Sequence, residues 1–246
     1  MIHLFALLSL LLCGVCYTGF QNSSHFHNTG SRRSLLLLVF GGALFLRLLL
    51  AYTTHGFSND IACFAAWADR IFTLGPGQFY SAEMFTDYPP GFMYVLYLIG
   101  ALRSLLQIPY YSDLHILLLK LPAILCDIAC GFLLYREAVK RLHFSDLQGI
   151  FAASAYLFQP AVILNSSCWG QVDSVYTLMI ILMCLFLMKG NLLPAYAVYG
   201  LGVLLKPQML IFTPVLLGGV WDPVFLQDFS WRKFFFNWCG GLVGIC

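Results

Sequence analysis

"RRSLLLLVFGGALFLRLLLAY", Arg32 to Tyr52, decides what kind of chain this is. Two arginines are followed by the apolar segment 34–52, whose only charge is Arg47. A membrane span needs about 20 apolar residues, with a range of about 17–25. The segment therefore reads as a transmembrane helix. Lys and Arg gather on the cytoplasmic side of spans, so Arg32 and Arg33 place its start there. Composition extends the reading to the whole chain. Of 246 residues, 60% are hydrophobic and 10% are charged, and the mean hydropathy is +0.81. Soluble domains carry about 25% charged residues. Net charge is only +2 and no basic cluster occurs, so no nucleic-acid partner is expected.

Working outward, further apolar segments cover 1–20, 91–107, 114–135, 149–165, 174–188, 191–205, 208–220 and 234–246. No strand-like alternation competes with them. The expected fold is all-α, a polytopic transmembrane helical bundle. Residues 1–33 read as an N-terminal apolar segment followed by a basic linker, and residues 34–246 as the transmembrane domain. Segment 1–20 lacks the basic start and small-residue cleavage site of a signal peptide, so a retained helix is expected. Asn22-Ser23-Ser24 is a glycosylation sequon. The chain stops inside the apolar run "FNWCGGLVGIC", as a truncated domain would.

Charge places the loops. The loop 53–90 follows an outward helix and is mostly acidic, with Asp60, Asp69, Glu83 and Asp87 against Arg70. Arg136, Lys140 and Arg141, and later Arg232 and Lys233, belong inside. These assignments agree if segment 91–107 begins and ends outside as a juxtamembrane or re-entrant helix. Pro89-Pro90-Gly91 and Pro109 supply the bends. Asp60, Asp87, Trp169, Gln171, Asp173 and Lys206 then reach the outer face from separate loops.

Each of these residues has two readings. Asp60, in "HGFSNDIACFAAW", suits a general base taking a proton from an acceptor hydroxyl, or a helix N-cap. Asp87, before "YPPGF", suits an acceptor-orienting acid or another cap. Trp169, Gln171 and Asp173 combine an aromatic face with polar groups that suit a sugar, although Trp is also common at membrane interfaces. Lys206, in "LLKPQML", suits a phosphate or a snorkelling lysine. Lys120 and Arg47 lie within apolar runs and suit a lipid phosphate or pairing with an acid such as Asp127. The nine cysteines sit mostly in apolar runs and suit packing. The lone pair Cys13 and Cys16 lacks the second pair that a zinc site wants. No P-loop, HExxH or GxSxG pattern occurs, so neither a cofactor nor a metal is expected.

Taken in order, "SNDIACFAAWADR", "DYPPGFMY", "NSSCWGQVDS" and "LLKPQMLIFTPVLL" resemble the GT-C superfamily of polytopic glycosyltransferases over roughly residues 34–220. The second motif is similar to that of the dolichyl-phosphate-glucose-dependent glucosyltransferases. The later ones look like the WGQ-D and KPQ motifs of bacterial mannosyltransferase-like members. The resemblance implies a hexosyltransferase that moves a sugar, with inversion, from a polyprenyl- or dolichyl-phosphate donor. The acceptor would be a glycan, lipid or protein hydroxyl on the outer face. It implies an acidic base at Asp60 and a further polar residue at Asp87. A lone Asp60, rather than an acidic pair, departs from the metal-using branch. A bacterial cytoplasmic membrane is expected, with the endoplasmic reticulum membrane as the alternative. The competing function is a transporter or lipid flippase using the acids as coupling-ion sites. Against it, no internal repeat is found and the acids collect at one face.

Overall fold

The computed structural model describes residues 29–82 and 85–218. The segments 1–20 and 234–246, the sequon, Glu83, Arg232 and Lys233 lie outside them. The described residues are all-α, with no strand among them. They form α1 (Thr29–Thr53), α2 (Ser58–Leu74), α3 (Pro90–Leu105), α4 (Asp113–Lys140), α5 (Asp146–Leu157), α6 (Pro160–Ile163), α7 (Asp173–Met188) and α8 (Leu192–Leu205). A π-helical turn, Leu164–Trp169, continues α6, and a 3₁₀ turn, Pro207–Phe212, follows α8.

Two helices are long and apolar enough to cross a membrane, α1 over Arg32–Thr53 and α4. The expected span 149–165 is broken instead. α5 and the helix Pro160–Trp169 meet at 52°, and together they would make a third crossing. The cause is Pro160, which has no N–H and starts a new helix. Gln159 Oε1 caps that helix, accepting from Ala161 N at 3.1 Å. At about 1.5 Å per residue, the 16 residues of α3 reach about 24 Å, short of a hydrocarbon core of about 30 Å. That length suits the expected juxtamembrane helix. But α7 with 16 residues and α8 with 14, read from sequence as full crossings, are no longer.

The chain forms two compact units, each assembled from separate stretches. One draws on Met1–Cys63 and Pro109–Ser174, the other on Phe64–Ile108 and Val175–Cys246. Within the first, Ser112 caps α4 through its side chain, and Ser145 with Gln148 forms a capping box on α5. Val39 and Ala43 of α1 pack with Ile150, Ala153 and Leu157 of α5. Gly131 of α4 lets Leu157 approach closely, since a Cβ there would lie 2.6 Å from Leu157 Cγ.

The polar centre of this unit is Arg47, which is wholly buried with Asp127. Arg47 Nε donates to Asp127 Oδ2 at 3.2 Å, and Nη2 donates to the Leu157 carbonyl at 2.7 Å. Tyr156 and Ser166 hydroxyls donate to the same carboxylate at 3.2 and 2.6 Å. Of the two expectations for Arg47, pairing with Asp127 holds. The lipid-phosphate reading fails, because the guanidinium is sealed inside and committed.

In the second unit Met183, Ala195, Tyr196, Tyr199, Met209 and Leu216 make the core. Tyr199 and Thr213 hydroxyls bond within it. Two charges of the acidic loop are used internally. Arg103 pairs with Asp69, and Arg70 donates to the Phe79 carbonyl and the Ser81 hydroxyl, both at 3.0 Å.

Removing one member of a buried pair strands the other, at a cost of about 3–5 kcal/mol. Asp127→Ala should therefore lower the melting temperature in detergent strongly. Arg47→Met with Asp127→Leu should recover only part of the loss, because the Leu157 carbonyl remains without its donor. Melting of Asp127→Ala at the parent temperature would remove the pair's structural role.

Candidate functional site

The first unit brings together two of the sequence motifs, the start of "SNDIACFAAWADR" and "NSSCWGQVDS". Helix α1 ends at Thr53, and the loop 54–57 leads into α2. Phe57 is the cap of α2, its carbonyl accepting from Ile61 N at 3.0 Å. Asp60 is thus the third residue of the helix, not its N-cap, and the capping reading is corrected. An acid in the first turn still favours the helix through the macrodipole.

Gln171 Nε2 donates to Asp60 Oδ2 across 111 positions of sequence. Phe57 N donates to the Trp169 carbonyl at 2.8 Å, and the Phe57 and Trp169 rings lie 5.7 Å apart at a tilt of 53°. Trp169 is 51% exposed and Phe57 44%, so the pair presents apolar faces beside the carboxylate. Asp173 opens α7 and accepts from Asn165 Nδ2 at 2.9 Å.

Backbone geometry makes this join possible. Gly170 sits at φ 88° directly after the π-helical turn, as a C-terminal glycine does. Its N–H and that of Gln171 both donate to the Asn165 carbonyl at 3.0 Å. A Cβ on Gly170 would lie 2.6 Å from Ile61 Cδ1. Gly56, at φ 80°, is pressed the other way, since a Cβ there would lie 2.7 Å from the Trp169 carbonyl oxygen. The "HGF" and "WGQ" glycines are therefore a matched pair.

Behind the join lies Lys120, wholly buried on α4. Its ammonium donates to the carbonyls of Ala51 (3.2 Å), Thr54 (2.6 Å) and Ser167 (3.0 Å), and to Thr54 Oγ1 (3.1 Å). The sequence reading offered it a lipid phosphate or Asp127. Its contacts are helix-end oxygens and not Asp127, so the pairing reading is corrected, and it clamps helix ends together.

The second unit joins the two remaining motifs. Lys206 ends α8 in extended geometry and is buried, which corrects the snorkelling reading. Its Nζ lies 5.8 Å from the ring centre of Tyr88 and 5.7 Å from that of Tyr176. Tyr88 belongs to "DYPP" and packs with Phe64, Trp67 and Phe92 at centroid distances of 5.2–5.8 Å. A Cβ on Gly91 would sit 2.6 Å from the Leu204 carbonyl. Only glycine there lets the start of α3 meet the end of α8.

Asp87 is exposed, and the cap of α3 is Pro89, with Pro90 as the first helical residue. No side-chain bond caps the helix, so the capping reading of Asp87 is corrected too.

Of the six residues singled out from sequence, the first unit gathers Asp60, Trp169, Gln171 and Asp173, and the second holds Asp87 and Lys206. Sequence reasoning missed Phe57, Asn165, Tyr88, Tyr176 and the work of Lys120. Gly56 and Gly170 carried a visible signal, glycine beside a helix end, and Tyr88 lay inside a motif already noted. No protein-family model matches the chain, and no curated protein matches it.

Forcing a residue with a Cβ into left-handed geometry costs about 1–2 kcal/mol. Gly190 has φ 71° and open space around a Cβ, so Gly190→Ala should lose little beyond that. Gly170→Ala meets Ile61 as well, and should melt several degrees below Gly190→Ala. Equal melting temperatures would mean that the loop pairing tolerates a shift.

Proposed function

We propose that this chain is an integral membrane glycosyltransferase of the GT-C kind. It moves a hexose from a polyprenyl-phosphate donor to an acceptor hydroxyl at the outer face of a polytopic bundle. The observation that carries the reading is the bond between Asp60 and Gln171, formed beside an exposed tryptophan. An acid held by an amide next to an aromatic face is a setting that suits a sugar hydroxyl. Asp60 takes the acceptor proton as general base, and the freed oxygen attacks the anomeric carbon. The bond from that carbon to the phosphate oxygen breaks with inversion, and polyprenyl phosphate leaves with the electron pair. Gln171 fixes one carboxylate oxygen, and Trp169 offers its face to the pyranose C–H surface. Asp173, through Asn165, holds the turn that carries them.

Lys206 has the separate role of recognising the donor phosphate. A lysine binds phosphate as a point charge, and the rings of Tyr88 and Tyr176 hold the ammonium by cation–π attraction. Asp87, exposed just before α3, orients the acceptor.

A transporter is the second reading, and the broken span at Gln159–Pro160 favours it, because broken helices line many transport sites. The two readings part in reconstituted vesicles. Transfer of labelled sugar from a polyprenyl-phosphate donor supports the enzyme, whereas passage of sugar or lipid without transfer supports transport.

General-base catalysis is worth about 10²–10⁴-fold in rate. Asp60→Asn should therefore lose about that factor in kcat at an unchanged melting temperature, and Asp87→Asn should lose less. Near-normal turnover by a folded Asp60→Asn protein would remove Asp60 as the base.

Lys206→Gln keeps a polar side chain of similar length but no charge. It should raise the KM for the lipid donor while leaving the acceptor KM in place. An unchanged donor KM in the folded variant would leave Lys206 as a packing residue only.

A further inference from the structure

We propose that the Lys120 ammonium is a tethered cation filling a built monovalent-cation site, and that through this site it positions Asp60 and Gln171. The site is unusual for a lysine. Four oxygens surround Nζ at 2.6–3.2 Å, and all are neutral: the carbonyls of Ala51, Thr54 and Ser167 and the Thr54 hydroxyl. An ammonium has three donors, so at least one hydrogen is shared among oxygens. That is how oxygens surround an ion rather than how a salt bridge forms. No carboxylate supplies any of the four contacts.

The charge that holds the ammonium comes from helix ends. Ala51 lies in the last turn of α1, where carbonyls have no partner in their own helix. Ser167 lies in the last turn of the π-helical segment that continues α6. Each helix C-terminus carries about half a negative charge, and the two converge on one Nζ. Carbonyl dipoles alone can replace the hydration shell of a potassium ion, and this arrangement is of that class. The Thr54 hydroxyl donates its hydrogen to the Leu50 carbonyl at 2.7 Å, which leaves its lone pairs to face the ammonium.

The site binds the two segments on which the proposed base depends. Ala51 and Thr54 lead into the loop that ends at Phe57, three residues before Asp60. Ser167 leads through Trp169 and Gly170 into Gln171. With Nζ removed, the end of α1 and the π-helical turn turn bare carbonyls towards each other and repel. The bond from Phe57 N to the Trp169 carbonyl and that from Gln171 to Asp60 lie directly downstream. Lys120 touches no substrate in this account, so it is a positioning residue. Its role in catalysis rests on the function proposed above, whereas the cation site does not.

The test separates the two. Lys120→Ala opens room for a free ion among the same four oxygens. Full-length Lys120→Ala and the parent are purified and melted in detergent with potassium, with methylammonium and with the bulky cation choline at equal ionic strength. The expected result is a variant stabilised by potassium or methylammonium and not by choline, beside a parent indifferent to all three. Sugar transfer is measured in the same salts. A displacement of about 1 Å can cost on the order of 10²-fold in rate. The variant should lose about that factor in kcat in choline, keep its donor KM, and regain rate with the ion that restores its melting temperature. Thr54→Val in the Lys120→Ala background, which deletes one oxygen, should weaken the rescue. A variant that melts alike in all three salts, or fails to fold in all of them, overturns the cation site. Restored melting without restored kcat overturns the positioning role. Restored melting with a parent inactive in sugar transfer leaves the site standing and overturns the proposed function instead.

Discussion

Buried cations hold the helix ends that this chain leaves unpaired, and most of the described structure of the first unit follows from that. An apolar surrounding offers no water to a bare carbonyl, and each unsatisfied group costs several kcal/mol. The end of α1 exposes Ala51 and Thr54, and the break before Pro160 frees Leu157. Lys120 takes the first two together with Ser167, and Arg47 takes the third. A lysine or arginine at the centre of a span costs about 2.5–3.5 kcal/mol by insertion. A cation that satisfies two or three carbonyls at once outweighs that cost, which is why charges persist inside otherwise apolar helices. Arg47 gains a further partner in Asp127, whose carboxylate is itself shared with Tyr156 and Ser166.

This explains what could be read from the sequence and what could not. The apolar segments 34–52 and 114–135 carry their own signal and return as α1 and α4 with ends displaced by a few residues. The broken span was also written in the chain, as Pro160 inside 149–165, but a proline in an apolar run does not say whether it bends or stops a helix. Here it stops one, because Gln159 can cap the next. Ser112 and Ser145 give readable caps. Asp60 and Asp87 suggested caps and are not, because Phe57 and Pro89 take those places through backbone geometry that composition does not reveal. The partners of Lys120 were the least legible. Three of its four contacts are carbonyls, and a carbonyl has no letter in a sequence.

The grouping of motifs has a similar cause. "DYPPG" and "KPQ" lie more than a hundred residues apart, and each reads alone as a helix boundary. They meet because each boundary leaves something the other needs. Lys206 must find an electron-rich surface when buried, and Tyr88 supplies one. Gly91 removes the side chain that would otherwise strike the Leu204 carbonyl. The aromatic cluster around Tyr88 fixes the ring from the other side, through Phe64, Trp67 and Phe92, and Trp67 Nε1 ties the segment down at the Phe85 carbonyl at 3.1 Å. Tyrosine at position 88 is thus set by packing as much as by any chemistry, and a motif match there does not by itself argue for a substrate.

The case for chemistry is stronger in the first unit, where packing does not require what is found. Asp60 is not the cap of α2, yet its carboxylate is held by a glutamine from a distant turn. Holding it takes two glycines in left-handed geometry, Gly56 and Gly170, each at the limit of approach to the opposite strand of chain. Glycine adopts that geometry without strain, so what the pair provides is close approach of the two segments. Fixed donors and acceptors are useful when charge must develop at a defined place, because they cost no reorganisation at the moment of reaction. The segment Thr54–Asp60 is bonded to the turn 167–171 directly at two points, the Phe57 N–H and the Asp60 carboxylate, and through Lys120 at a third, between Thr54 and Ser167. These bonds fix the placement of one carboxylate, and it is on that placement, more than on the identity of any single residue, that the proposed reaction rests.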